Sequence, residues 1–131
     1  MIDEGKLRGV PDAIILESPF LGEVFKVIEP KNKVLLESLS RTKGLHMADA
    51  EVLAIAKELD GMAIVDDEIS RKTAKIYGIS YAGTPYILMK AVSQGLIAKD
   101  DAKRALDEMI LSGWRCGVET YAKILEAMER L

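Results

Sequence analysis

Asp49, Asp66 and Asp67 are the residues whose type and spacing in this 131-residue chain point most directly to chemistry. Asp66 and Asp67 directly follow a short apolar run, Met62-Ala63-Ile64-Val65, and Asp49 heads the apolar-periodic segment that leads into that run. Read as a strand of a parallel sheet, the run places the acidic pair at its carboxyl end, where open α/β sheets gather their ligands. A helix from 49 to 60 that returns to the start of that strand has its own N-terminus at the same end. Three carboxylates, with Glu51 as an accessory, then share one neighbourhood. Like charges at close range repel unless a cation sits between them. A Mg²⁺ or Mn²⁺ ion is the simplest resolution, and such an ion polarises a phosphate or activates water. Helix capping accounts for Asp49 and Asp67 one at a time, because Asp at a helix start satisfies free N–H groups and suits the dipole. Both readings stay open on pattern alone.

The elements that must carry these residues follow from periodicity. Residues 23–28 (Glu-Val-Phe-Lys-Val-Ile) are β-branched and partly alternating, which predicts a strand ended by Pro30. Residues 31–43 suit an amphipathic helix closed by Gly44. In the next helix Val52, Ile55, Ala56 and Leu59 fall at i, i+3, i+4 and i+7, between Asp49 and Asp60-Gly61. The run 62–65 reads as a strand buried on both faces. Asp66-Asp67-Glu68 opens a helix with Ile69, Thr73, Ile76 and Tyr77 on one side and Gly78 at its end, and Ile79-Ser80-Tyr81 is a second short strand. Gly83-Thr84-Pro85 reads as turn, N-cap and first helical residue. A helix with Ile87, Leu88, Ala91 and Val92 follows to Gly95, then helices over 99–112 and 117–130. Before all of these, Met1 to Lys6 read like the tail of a helix, and Pro11-Asp12 open a short apolar turn or helix over 13–16. Alternating strands and helices with short links predict a helix-rich α/β layer architecture with a small parallel sheet, as a single domain over 1–131. The excess of helix at the C-terminus predicts a packed flank or a dimer surface.

Composition sets the outer limits. Eighteen basic against twenty-one acidic side chains leave a net charge of −3, which excludes a polybasic protein held to nucleic acid by bulk charge. Hydrophobic residues at 49% argue for a folded core, and aromatics at 5% make that core aliphatic. Cys116 is alone and His46 is the single histidine, so an intramolecular disulfide is excluded and a structural zinc site lacks ligands. Any metal is then a hard cation on carboxylates, and a reducing cytoplasmic compartment is expected. No apolar run approaches the roughly 18 residues of a membrane span, and no secretion signal opens the chain.

Ala63-Ile64-Val65-Asp66-Asp67-Glu68 has the look of the metal-binding acidic pair of response-regulator receiver domains. That pair belongs after a first strand. Here it falls mid-chain, with no later apolar strand ending in a phospho-accepting Asp, so the receiver reading fails on order. A better match spans residues 44–126. Asp49-Ala50-Glu51-Val52-Leu53-Ala54-Ile55-Ala56 resembles the acid-plus-alanine-rich helix of PIN-domain proteins, and Ile64-Val65-Asp66-Asp67-Glu68 resembles their strand-end acidic turn. Ile79 to Thr84, Met89-Lys90-Ala91, Gln94 to Ile97, Leu106-Asp107-Glu108 and Ser112-Gly113-Trp114 are similar to the branch related to VapC toxins. The resemblance implies a three-layer α/β/α PIN-like fold and a divalent-metal endoribonuclease, often a toxin restrained by an antitoxin protein and often a homodimer. It implies Asp49 and Asp67 as catalytic, with Asp49, Asp66 and Asp67 as ligands of Mg²⁺ or Mn²⁺ and RNA as substrate. The family opens with a strand carrying an Asp and a helix carrying a Glu. This chain enters at the tail of that helix, with Asp3 and Glu4 a poor fit, and reads as an N-terminally shortened form. A second expectation follows: a non-catalytic PIN-like module that dimerises or binds an antitoxin-like partner.

Other residues carry weaker signals. Arg71, Lys72 and Lys75 follow the acidic turn and suit either a solvated helix face or an RNA backbone. His46 is placed to act as a general base near Asp49, or is simply a surface histidine. Cys116 has no partner for a nucleophile role. Thr84 reads as an N-cap, with a phosphate-contacting hydroxyl as the alternative, and Trp114 reads as a plug between the last two helices.

Overall fold

The computed structural model describes residues 25–131. Chain contacts divide the sequence into Met1–Pro30 and Lys31–Leu131, and the second unit carries every helix and strand of the described residues. In chain order these are α1 (Lys33–Ser40), α2 (Met47–Glu58), β1 (Met62–Ile64), α3 (Glu68–Tyr77), β2 (Ser80–Ala82), α4 (Pro85–Ser93), α5 (Lys99–Leu111) and α6 (Val118–Glu129). Helices and strands alternate as their periodicity predicts, apart from the strand expected over 23–28. Residues 25–28 carry no strand, and Glu23 and Val24 lie outside the described residues. β-branched composition marks a stretch that fits a sheet, but only a pairing neighbour makes it a strand. The features expected at 1–6 and 13–16 also lie outside the described residues.

β1 and β2 pair in parallel, with Met62 opposite Ser80, Ala63 opposite Tyr81 and Ile64 opposite Ala82. Parallel neighbours need a crossover, and α3 supplies it. The ladder runs one residue further, where the Val65 N–H donates to the Ala82 carbonyl at 2.8 Å. The sheet is less enclosed than its apolar sequence suggests. Ala63 and Val65 are buried, whereas Met62 is exposed and Ile64 only half-buried, so the expectation of burial on both faces is corrected. Successive side chains of a strand point to opposite faces, and one set alone reaches this core.

Two apolar clusters hold the unit together. The first joins α1, α2, the sheet and α3 through Leu39, Ala50, Leu53, Ala54, Ala63, Val65, Ala74 and Ile79. The second joins Ala102 and Leu106 of α5 to Ile124 and Met128 of α6, with Leu88, Met89, Val92 and Trp114 packed against it. On α2 the buried stripe is Ala50, Leu53, Ala54 and Ala56, while Val52 and Leu59 of the expected stripe are exposed. On α3 it is Ser70, Thr73 and Ala74, with Tyr77 packed beside them and Ile76 outside. Small residues let these helices lie close to the sheet, and their bulky neighbours stay in water.

Local signals explain the helix ends. The Asn32 side chain accepts the Leu35 N–H at 3.0 Å, capping α1. At Gly44, φ is +84°, and a Cβ there would lie 2.7 Å from Cδ1 of Ile69. Glycine alone meets both conditions without strain. α3 ends on Gly78 in the left-handed region, and the Ser38 and Tyr77 hydroxyls share a 2.7 Å hydrogen bond that ties α1 to its last turn.

Leu53 is fully buried and Ile76 is 81% exposed. Urea unfolding followed by circular dichroism should therefore show Leu53→Ala costing about 2–5 kcal/mol and Ile76→Ala less than about 0.5 kcal/mol. Gly44→Ala should cost about 1–2 kcal/mol, the penalty of a Cβ in left-handed backbone. A larger loss at Ile76 than at Leu53 would restore the face read from periodicity.

Candidate functional site

The carboxyl end of β1 opens directly into α3, and Asp67 is the hinge. Its backbone is extended (φ −84°, ψ 152°), and its side chain caps α3 by accepting the Ser70 N–H. Oδ2 accepts that amide at 2.9 Å and Oδ1 accepts the Ser70 hydroxyl at 2.5 Å. Ser70 is fully buried, so its hydroxyl needs this partner. Partial burial works to raise the Asp67 carboxyl, but the Ser70 hydroxyl and amide, with His46 behind them, hold it below the usual carboxylate range. The capping reading of Asp67 is thus realised in full.

Asp49 stands in the first turn of α2, not at its cap; His46 holds the cap position and makes no capping bond with its side chain. Burial raises the Asp49 carboxyl above its ordinary value, the charge of Asp67 raises it further, and His46 opposes them. The charge of Asp67 thus reaches Asp49, eighteen residues earlier in the sequence, and the charge of His46, the single histidine, acts on both. Both stand at helix N-termini, whose free N–H groups and dipoles favour negative charge.

Asp66 faces elsewhere. Oδ1 accepts the Thr84 N–H at 2.8 Å, and Oδ2 accepts the Thr84 hydroxyl at 2.6 Å and the Trp114 indole N–H at 3.2 Å. Arg71 approaches Oδ1 at 3.9 Å. Burial raises the Asp66 carboxyl, but these donors outweigh it and hold the group below the usual range. Among the described residues no group of three or more His, Cys, Asp or Glu side chains could hold a metal ion. Of the expected trio, Asp66 is turned toward Thr84 and Trp114, while Asp67 caps α3.

The remaining candidates sort readily. The Arg71 Nε–H donates to the Val65 carbonyl at 3.2 Å, so this side chain lies against the strand end with its tip part-exposed. Lys72 pairs with Glu68 on the α3 surface, and Lys75 and Glu51 are exposed. Thr84 occupies the expected cap position, but its backbone is helical and its hydroxyl serves Asp66 instead of the helix. Trp114 does pack against the α5–α6 cluster, as its position suggests. Its reach to Asp66 and the dependence of Asp67 on Ser70 were not read from sequence. The Asp67/Ser70 spacing of three is a capping signal that was open to view; the Asp66–Trp114 contact, 48 residues apart, had none.

Two carboxylates are a minimal but sufficient protein share for Mg²⁺ or Mn²⁺, since such ions keep several waters and take phosphate oxygens to complete their shell. Asp49 and Asp67 suit that role by donor chemistry, and a dication between them would relieve the repulsion that raises Asp49. No helix among the described residues is long and apolar enough to cross a membrane. A family model, DUF3368, described as a PIN domain, matches residues 1–130. Neither the curated proteins nor the solved structures supply a match.

Asp66 and Asp67 both titrate below their ordinary value in the folded chain. Their stabilising contribution is complete above the unfolded carboxylate pKa and is lost as pH falls through the lowered folded values. Thermal melts should therefore weaken between about pH 5 and about pH 3, with a shallower slope for Asp66→Asn than for the unaltered chain. Equal slopes would show that the Asp66 bonds do not favour its ionised form.

Proposed function

The chain belongs to the PIN-domain family, and from that premise we propose that it is a divalent-metal-dependent endoribonuclease with Asp49 and Asp67 as its acidic pair. What supports this reading is that two sequence-distant carboxylates stand in the first turn of α2 and at the cap of α3, with burial raising the Asp49 carboxyl and the charge of Asp67 adding to that rise. Nothing in local capping requires that influence of one charge on the other. Capping would be served equally well with α2 turned so that Asp49 faced water.

An ion held by Asp49 and Asp67 would supply a Lewis acid for a phosphate oxygen and an activated water for its hydrolysis. The chain's own groups set the conditions for that. Ser70 orients Asp67 and favours its ionised form. Asp49 must lose its proton to take a cation, and its raised carboxyl makes it the later of the two to do so. The N-termini of α2 and α3 favour an anionic backbone at the same corner. Arg71, held along the strand end by Val65, offers its part-exposed guanidinium to a neighbouring phosphate.

A second reading is favoured by one observation, the absence among the described residues of a third candidate ligand: a PIN-domain module that binds a partner without cleaving RNA. Cleavage of a mixed RNA pool with Mn²⁺, alongside calorimetric Mn²⁺ titration, separates the two. The nuclease reading expects cleavage that a chelator abolishes, and a loss of more than about a hundredfold in Asp49→Asn and in Asp67→Asn, since a lost ligand should exceed the 10–100-fold typical of outer-shell changes. Wild-type cleavage by Asp67→Asn would remove that residue from the chemistry. A folded chain that neither binds Mn²⁺ nor cleaves would leave the binding module.

A further inference from the structure

We propose that Asp66 is a positioning residue for the acidic corner: through Thr84 and Trp114 it fixes the strand end from which Asp67 is aimed at Asp49. The inference rests on the nuclease reading and deepens it, giving Asp66 a role distinct from that of a ligand.

Both Asp66 oxygens are occupied by donors from separate parts of the chain. Thr84 contributes its backbone N–H and its hydroxyl from the β2–α4 turn, and Trp114 contributes its indole N–H from the α5–α6 connection. The turn is built around this carboxylate. A Cβ on Gly83 would fall 3.1 Å from Asp66 Oδ1 and 2.9 Å from the Arg71 guanidinium, so a larger residue there would have to push these side chains aside. The peptide just before Asp66 is held on both sides. Val65 donates its N–H to the Ala82 carbonyl at 2.8 Å and accepts the Arg71 Nε–H at 3.2 Å. With Val65 and Asp66 fixed, little freedom is left to Asp67, which must cap α3 from the next position. Trp114 also belongs to the second apolar cluster. The Asp66 carboxylate is therefore the polar link between the α5–α6 pair and the edge of the sheet that bears the acidic corner.

Thr84 tests this apart from any direct role of Asp66, because it touches Asp66 and its hydroxyl carries no charge to a cation. The probe is MnCl₂ titrated calorimetrically into the full chain, with emission from Trp114, the single tryptophan, reporting the link and circular dichroism reporting the fold. Asp66→Ala and Thr84→Val should each weaken Mn²⁺ binding about 10–100-fold, the range for outer-shell support of a metal site, and both should shift Trp114 emission. Thr84→Ser, which keeps the hydroxyl, should restore wild-type affinity and emission. Loss of Mn²⁺ binding in Asp66→Ala as complete as in Asp67→Asn, with Thr84→Val unaffected, would make Asp66 a ligand and overturn the proposal. Wild-type affinity in both variants would overturn it as well, leaving a structural contact alone. Should Asp66→Ala not fold, the comparison of Thr84→Val with Thr84→Ser decides. Failure of the unaltered chain to bind Mn²⁺ would instead bring down the nuclease reading, and this inference with it.

Discussion

A carboxylate that leaves bulk water must find partners for its charge, and at the end of β1 two adjacent ones do so at once. Extended backbone turns consecutive side chains to opposite sides, and Asp66 and Asp67 take different partners. Asp66 meets the β2–α4 turn and the indole of Trp114, and Asp67 meets the first turn of α3 and the charge of Asp49. The acidic pair that looks like one motif in the sequence holds two separate sets of partners, one reaching Thr84 and Trp114 and one capping α3. The short parallel ladder is what brings the two sets of partners within reach.

The two apolar clusters divide the work in a related way. The cluster around Leu53 and Val65 seats the sheet between α2 and α3 and so determines where the acidic corner lies. The cluster around Leu106 and Met128 lies in the α5–α6 pair, with Lys99 and Lys103 of α5 both bound to Glu129 near the end of α6. Trp114 packs on this second cluster while its N–H reaches Asp66.

Part of this was legible from residue order. Asn32, Asp67 and Gly78 mark helix ends through backbone groups a few residues away, and such signals survive without tertiary context, whereas α1 ends at Ser40, short of the Gly44 that its pattern suggested. The brevity and branching of 62–65 suffice for a strand, and the position of Asp49 relative to that strand was enough to expect it beside Asp67. The buried faces of α2 and α3 were not legible in the same way. Each helix carries more than one apolar or small stripe at helical spacing, and large side chains such as Ile76 and Leu59 look like the core by hydropathy. Small residues instead fill most of those buried positions, beside Leu53 on α2 and Thr73 on α3.

Local order thus settled what depends on neighbours in the chain: the sequence of helices and strands, their caps, the parallel α/β character, and the family to which residues 1–130 belong. Packing settled what depends on distance through space. It chose which stripe of each helix is buried, sent Asp66 to Thr84 and Trp114, and left Asp49 and Asp67 as the pair that share a field. The reason is one of range. Capping and periodicity act over three or four residues, whereas a carboxylate's partner 18 or 48 positions away exists only once the chain between them has folded.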